Sequence, residues 1–260
     1  MYDLHAHILP GVDDGAKTVE DTIAMARVAA ENGTLEMLCT PHRKDITENF
    51  SVAYVQELVE KMNRELQAQN IGLKFLVGME NHLDIDLPAE FTAGRALRIN
   101  GSRYALVELP FFGKANFIED TLFKIQLQGI TPVLAHPERL ECFQQEPDLL
   151  AKFVESGMLS QVTAGSVVGH FGEKVKKITN NMLRCGLVHI LSSDTHFPHG
   201  PRSPKLPPGR DAAALIVGEE RARAMVVDTP RAVLRNEIVK VPSPSEAVEP
   251  KKKWWKLGRG

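Results

Sequence analysis

The segment DLHAHILPGVDDG, which begins at Asp3, sets His5 and His7 one residue apart near the start of the chain and Asp14 in the loop that follows. Imidazoles and carboxylates of the same kind recur far down the sequence. His42 lies in CTPHRKD, Glu80 in VGMENH, Glu108 in ALVELP, His136 in VLAHPER, and Asp194 with His196 in SSDTH. Side chains of these types gathered together bind cations. A set of His, Asp and Glu without cysteine suits zinc, manganese or iron better than a structural thiolate site. The four carboxylates Asp14, Glu80, Glu108 and Asp194 point to more than one cation with a shared, bridging group. Glu80 and Glu108 also follow apolar runs, LKFLVGM and YALV. A glutamate is rarely buried unless it is paired or bound to a cation. His82, His170, His189 and His199 lack such a setting and read as structural or solvated.

These residues are useful together only if the fold brings them to one place. MYDLHAHI alternates, with Tyr2, Leu4, Ala6 and Ile8 on one face and Asp3, His5 and His7 on the other. Residues two apart in a strand share a side, so His5 and His7 can grip one ion, and Asp194 and His196 repeat the relation. LEMLCT, LKFLVGM, YALVEL, TPVLAH, LSQVTA and LVHILSSD complete a set of seven expected strands. Helical segments separate them. One is capped by Thr18 and runs through Ala30 with Gly33 beyond its end; another is capped by Ser51, with Val52, Val55, Val59, Met62 and Leu66 at helical spacing. FIEDTLFKIQLQG, PDLLAKFVESG and KVKKITNNMLRCG follow, and a terminal helical region extends from Asp211 toward Glu237. Regular alternation of this kind predicts an α/β fold with parallel strands and helical crossovers. No G-x-G-x-x-G turn follows the first strand, which favours a barrel over an open dinucleotide-binding sheet. In a parallel barrel the C-terminal ends of all strands share one mouth, and each candidate ligand except Asp14, which lies in the first loop, sits at or just past such an end.

The bulk properties exclude other classes. The chain has 260 residues, 43% hydrophobic and 25% charged, with a formal net charge of −2. That balance gives no general attraction to nucleic acid. No run of about 18 apolar residues predicts a membrane span, and no basic and apolar leader is visible at the start. The three cysteines, Cys39, Cys142 and Cys185, read as reduced thiols of a cytoplasmic protein. None has an arginine six positions on, so the Cys-x5-Arg route to phosphate ester cleavage is closed. A domain over residues 1–240 is expected, followed by a disordered tail over 241–260 that ends in KKKWWKLGRG. Any membrane contact would run through the lysines and tryptophans of that tail, although a solvated end is the preferred reading.

DLHAHILPGVDDGAKT, TPH, GME, SRYALVELP, GITPVLAHPERL, QVTAGSVVGHFG and LVHILSSDTH, in this order over roughly residues 1–237, resemble the polymerase-and-histidinol-phosphatase (PHP) superfamily. Within it they are most similar to the manganese-dependent protein-tyrosine phosphatases of bacterial capsule and exopolysaccharide loci, the CpsB/YwqE family. The resemblance implies a distorted seven-stranded, TIM-like PHP barrel with three manganese ions, for which iron, cobalt or zinc are substitutes. It implies one ion on His5, His7, Glu80 and Asp194, a second on Glu80, Glu108 and His136, and a third on Asp14, His42 and His196. Arg139 in HPERL and Arg202 in HGPRSP match arginines that bind phosphate, and Arg43 is a weaker third candidate. The implied substrate is the phosphorylated tyrosine-rich tail of a bacterial tyrosine autokinase, with no nucleic-acid partner.

The chemistry this predicts is attack of a metal-bridging hydroxide on the phosphorus, since two-ion sites lower the pKa of bound water from about 15.7 toward about 7. Asp14 or His196 is the candidate general acid. Rival readings are a PHP phosphatase of a small monoester such as histidinol phosphate, a PHP nuclease, and a catalytically silent binding module. SRYALVELP and AHPER favour the tyrosine-phosphatase branch, and the core lacks the basic, aromatic-laced stretch of a nuclease.

Overall fold

The computed structural model describes residues 1–113 and 116–240. The expected tail, and with it the membrane reading, lies outside the described residues. Among these residues there are eight strands, joined through helices except where β3 runs straight into β4: β1 (Tyr2–Ala6), β2 (Glu36–Cys39), β3 (Lys74–Val77), β4 (Asn81–His82), β5 (Tyr104–Glu108), β6 (Thr131–Ala135), β7 (Leu159–Thr163) and β8 (Ile190–Ser192). All pairings are parallel. They make a three-stranded sheet, β1-β2-β3, and a five-stranded sheet, β4-β5-β6-β7-β8.

The expected α/β class with parallel strands is therefore present, but the expected count of seven strands is replaced by eight in two sheets. The extra strand arises where LKFLVGM leaves one sheet for the other. Val77 still pairs with Cys39 of β2, whereas Asn81 pairs with Val107 of β5. Between them Gly78 passes so close to Leu38 that an added Cβ would lie 2.7 Å from its Cγ. Glu80 is then held by backbone bonds outside either sheet, accepting from Arg43 N at 2.9 Å and donating to Pro41 O at 3.1 Å. The Asn81 amide locks the new position by donating to the carbonyls of Met79, Leu97 and Leu106.

The first and last strands also meet. Asp194 N donates to His5 O and His7 N to Thr195 O, both at 2.9 Å, and Leu4 N donates to Ser192 Oγ at 3.2 Å. Alternation along the strands then sorts the core. Leu38, Leu76, Leu106, Val133, Leu159 and Ile190 form a buried cluster with Leu4. Their strand neighbours Met37, Cys39 and Phe75 face the helices Val19–Glu31 and Val52–Ala68, while Ala105, Val107, Leu134, Val162 and Leu191 pack under the later helices.

The helix caps follow the sequence. Thr18 Oγ1 accepts from Asp21 N at 3.2 Å while Asp21 Oδ2 accepts from Thr18 N at 3.1 Å, a reciprocal capping box. Ser51 Oγ accepts from Tyr54 N at 3.1 Å, and Val55, Val59, Met62 and Leu66 of the following helix are buried as expected. The terminal region expected from Asp211 to Glu237 is instead three helices, Pro207–Val217, Glu219–Val226 and Asp228–Leu234. Gly218, at φ 86°, breaks the first from the second. Cys39 and Cys142 are free and buried, and Cys185 is partly exposed. No helix among the described residues is long and apolar enough to cross a membrane.

Candidate metal centre

The strand ends bring all nine candidate ligands together. Glu80, on the chain between β3 and β4, is the hub. Its Oε1 lies 3.2 Å from His5 Nε2 and 3.0 Å from His136 Nε2, and its Oε2 lies 3.3 Å from His7 Nε2 and 3.0 Å from His42 Nδ1. Glu108 Oε1 approaches His136 Nε2 at 3.4 Å from the other side. Asp194 Oδ1 sits 3.5 Å from His5 Nε2 and 3.6 Å from His7 Nε2. Asp14 Oδ1 faces His196 Nε2 at 3.2 Å and His42 Nε2 at 3.4 Å.

Among the described residues three sets place their ligand atoms within 4.8 Å of one another: His7, Asp14, His42 and His196; His5, His7 and Glu80; and His42, Glu80 and Glu108. The sets overlap at His7, His42 and Glu80. They thus regroup the expected sets, keep Glu80 between two of them and leave His136 and Asp194 outside all three. The donor set fits a cluster of borderline cations, since it contains nitrogen and oxygen and no thiolate.

Electrostatics make Glu80 an anion despite its depth. Burial alone would raise its pKa, but His5, His136 and His42 outweigh it and hold the carboxyl well below the usual range. The same competition lifts His42 and His7. Burial would lower His42, yet Asp14 and Glu80 raise it to about 11; burial would lower His7, yet Asp13 and Glu80 raise it to about 9. Asp194 is likewise kept ionised against burial by His5, Arg139 and Arg202.

Two candidate ligands stand in the left-handed region of backbone space, His136 at φ 33° and Asp194 at φ 50°. Residues with a Cβ rarely adopt it, and such strain collects at functional sites. Here it turns each chain sharply at its strand end. The turn after His136 is closed by Arg139 N donating to His136 O at 3.0 Å.

The expected phosphate-binding arginines meet on one candidate ligand. Arg139 donates to Asp194 Oδ2 at 2.6 Å, and Arg202 donates to Asp194 Oδ1 at 2.8 Å. Arg43 does not join them, which corrects its candidacy. It is buried, is ion-paired to Asp84 and lies 3.8 Å from Glu90, and it donates to His82 O at 3.3 Å.

Sequence reasoning missed the groups behind the ligands. With Nε2 turned to the cluster, His7 Nδ1 carries the proton and donates to Asp13 Oδ2 at 2.8 Å, and His5 Nδ1 donates to Gln161 Oε1 at 2.9 Å. The signal for Asp13 was present in VDDG but could not be told from Asp14 by type. His82, read as structural or solvated, lies at the rim with Nδ1 3.5 Å from Glu108 Oε2. His170 and His189 do have local structural partners, Pro201 O at 3.0 Å and Ser160 N at 3.0 Å, and His199 is exposed.

A parallel α/β fold with an imidazole and carboxylate cluster at the strand ends defines a hydrolase-type metal protein. The chain belongs to the CpsB/CapC family of capsular polysaccharide synthesis, whose model matches residues 1–235. It is 35% identical to tyrosine-protein phosphatase YwqE of Bacillus subtilis over 196 residues, 75% of this chain and 77% of that protein. It is 28% identical to tyrosine-protein phosphatase CpsB of Streptococcus pneumoniae over 253 residues, 92% of this chain and all (100%) of that one. A solved structure from work on YwqE and CpsB, described as unique metal-dependent tyrosine phosphatases, aligns with TM-score 0.88 at 31% identity, covering 94% of this chain and 98% of its own. A β-aspartyl dipeptidase from Fervidobacterium islandicum shares the fold alone, at TM-score 0.53 and 13% identity, covering 94% of this chain and 75% of its own.

Proposed function

We propose that the protein is a manganese-dependent protein-tyrosine phosphatase acting in the cytoplasm on the phosphorylated tail of a bacterial tyrosine autokinase of a capsule or exopolysaccharide locus. The observation that carries the reading is the junction at Asp194. The same carboxylate faces His5 and His7 of the cluster and accepts from Arg139 and Arg202, so cation ligands and phosphate-type donors share one wall. The two sheets, joined where β1 meets β8, are in this reading one distorted PHP barrel with the site at its mouth.

His5, His7, Glu80 and Asp194 would hold one cation, Glu80, Glu108 and His136 a second, and Asp14, His42 and His196 a third. When bound, the ions supply Lewis-acid charge at the phosphoryl oxygens and acidify water toward neutral pH. The arginines bind and orient the substrate. Each guanidinium presents a planar fork of donors that matches two phosphoryl oxygens, and Asp194 fixes where the forks lie before substrate arrives. Asp13 and Gln161 hold the His7 and His5 rings with Nε2 inward. The carboxyl of Asp14 is kept far below its ordinary pKa by His196 and His42, which suits it to a ligand's role more than to giving up a proton. A tyrosine leaving group, with a pKa near 10, needs little protonation.

The test is phosphate release from a phosphotyrosyl peptide and from histidinol phosphate, with manganese-loaded wild type beside His136→Ala. Manganese-dependent release from the peptide, lost in the variant, is expected. Release from histidinol phosphate alone would overturn the substrate and keep the site. No release from either, with manganese bound, would overturn the phosphatase reading.

A further inference from the structure

The imidazoles of His136, His5, His7 and His196 run in a row, with successive ring centroids 5.6, 5.2 and 4.1 Å apart. At the His136 end a phenylalanine closes the row. The Phe111 ring stacks on His136, with centroids 5.4 Å apart and planes at 25°, and the Arg139 guanidinium carbon lies 5.8 Å from its centroid. Phe111 thus touches both a cluster imidazole and one of the arginines on Asp194. It is nevertheless 38% exposed, so part of its ring faces outward beside the cluster.

Its place is built. The segment that carries it follows directly from Glu108 of β5, and Glu141 ties that segment to the turn holding Arg139. Glu141 N donates to Phe111 O at 3.1 Å, and the Glu141 carboxylate accepts from Gly113 N at 2.9 Å. Arg139 is in turn sandwiched, with Phe171 5.0 Å away. The neighbouring Phe112 has no such role: it is 85% exposed, and its ring contact is with Phe111.

We propose that Phe111 is the wall against which the leaving group lies, and that it selects aryl over alkyl phosphate monoesters. This rests on the phosphatase reading for the position of the phosphoryl group. A phosphoryl group between Arg139 and His136 places the substituent on its ester oxygen beside the exposed part of Phe111. An aromatic ring there gains an offset or edge contact that an alkyl chain does not. Such aromatic pairs change affinity by about 2- to 12-fold beyond the area they bury.

Phenylphosphonate and methylphosphonate are the probes, because neither is hydrolysed. Their dissociation constants are measured by calorimetry on manganese-loaded wild type, Phe111→Leu, Phe111→Met, Phe111→Tyr and Phe112→Leu, with manganese content and Tm checked for each. Wild type, Phe111→Tyr and Phe112→Leu are expected to share one phenyl-over-methyl preference. Phe111→Leu and Phe111→Met are expected to lose about 2- to 12-fold of it. Equal weakening of both phosphonates, or an unchanged preference, would overturn the proposal even if the enzyme hydrolyses phosphotyrosine. Conversely, a Phe111-dependent preference without phosphate release from any monoester would keep the aryl wall and reject the phosphatase reading.

Discussion

Asp13→Asn separates the ligands from what aims them. The Asp13 side chain is fully buried (0% exposed) and divides its oxygens between two donors. Oδ2 accepts from His7 Nδ1 at 2.8 Å, and Oδ1 accepts from Gly15 N at 2.9 Å. A carboxamide has one acceptor oxygen and one NH2, so whichever way it turns, one of those N–H groups faces another donor. An unsatisfied buried donor costs about 1–3 kcal/mol. If the amide oxygen stays with Gly15, the His7 ring loses the partner that fixes its tautomer. Loss of such a partner weakens metal binding about 10- to 100-fold, or roughly 1.4–2.7 kcal/mol. If it stays with His7, the negative charge behind the ring is still gone and the loop at Gly15 loosens.

Both branches weaken manganese, so the expected dissociation constant rises about 10- to 100-fold. Chelator competition measures it, with thermal unfolding in excess chelator as the control for the metal-free fold. Asp13→Ala leaves both donors bare and is expected to weaken manganese further. An Asp13→Asn affinity within twofold of wild type, in a folded protein, would refute the claim that Asp13 positions His7.

Other outcomes follow from the same coordinates. Arg139→Ala and Arg202→Ala are each expected to lower kcat/KM on a phosphotyrosyl peptide roughly 100-fold, and because both donate to Asp194 the double variant should lose less than the product of the two. Gly15→Ala should cost about 1–3 kcal/mol in chemical denaturation and weaken manganese as well; its added Cβ would lie 1.9 Å from His7 O, so the Asp13–Gly15 loop must move off the ring. His189 is pushed down from 6.5 to about 4 by burial and then by Arg221. The folded state therefore resists a proton that the unfolded state takes up, and stability is lost as pH falls from above 6.5 through about 4, by on the order of 3 kcal/mol. Asp3, raised to about 6 by burial, acts with the opposite sign, so the measurement is the difference in denaturation free energy between wild type and His189→Gln at pH 7 and pH 4.5. A difference that does not change with pH would refute the role of His189.

The sequence made the local features plain because their physics is local. Thr18 with Asp21 and Ser51 with Tyr54 close caps within three residues, and the strand–helix rhythm is carried by side-chain periodicity. The candidate ligands stood out for a different reason: an imidazole or glutamate at the end of an apolar run has few explanations. What stayed hidden depends on groups distant in sequence. Asp13 and Asp14 are identical in type, and only the passage of the loop over His7 buries one and leaves the other 61% exposed. Arg43 stands beside His42, but Asp84 and Glu90, some forty positions on, claim its guanidinium. The break at Gly78 is set by Leu38 and by the backbone at Pro41 and Arg43, none of which marks LKFLVGM itself.

The closure of the sheets and the assembly of the site are one event. The bonds that bring β1 to the chain after β8 run from Asp194 N to His5 O and from His7 N to Thr195 O, so three of the four residues involved are candidate ligands. Ser193 N adds a bond to Asp3 Oδ1 at 3.1 Å just below them. The left-handed turn at Asp194 costs on the order of 1–3 kcal/mol. It is held by its backbone bond to His5 and by Arg139 on its carboxylate, which depend on β1 and β6 being in place, and by Arg202 from its own loop. A partly folded chain with β8 undocked keeps only the local Arg202 contact and would relax that turn, which removes Asp194 from His5 and His7 together. The cation-binding geometry is thus available only to the closed fold, and the strain at Asp194 ties the two so that neither is reached without the other.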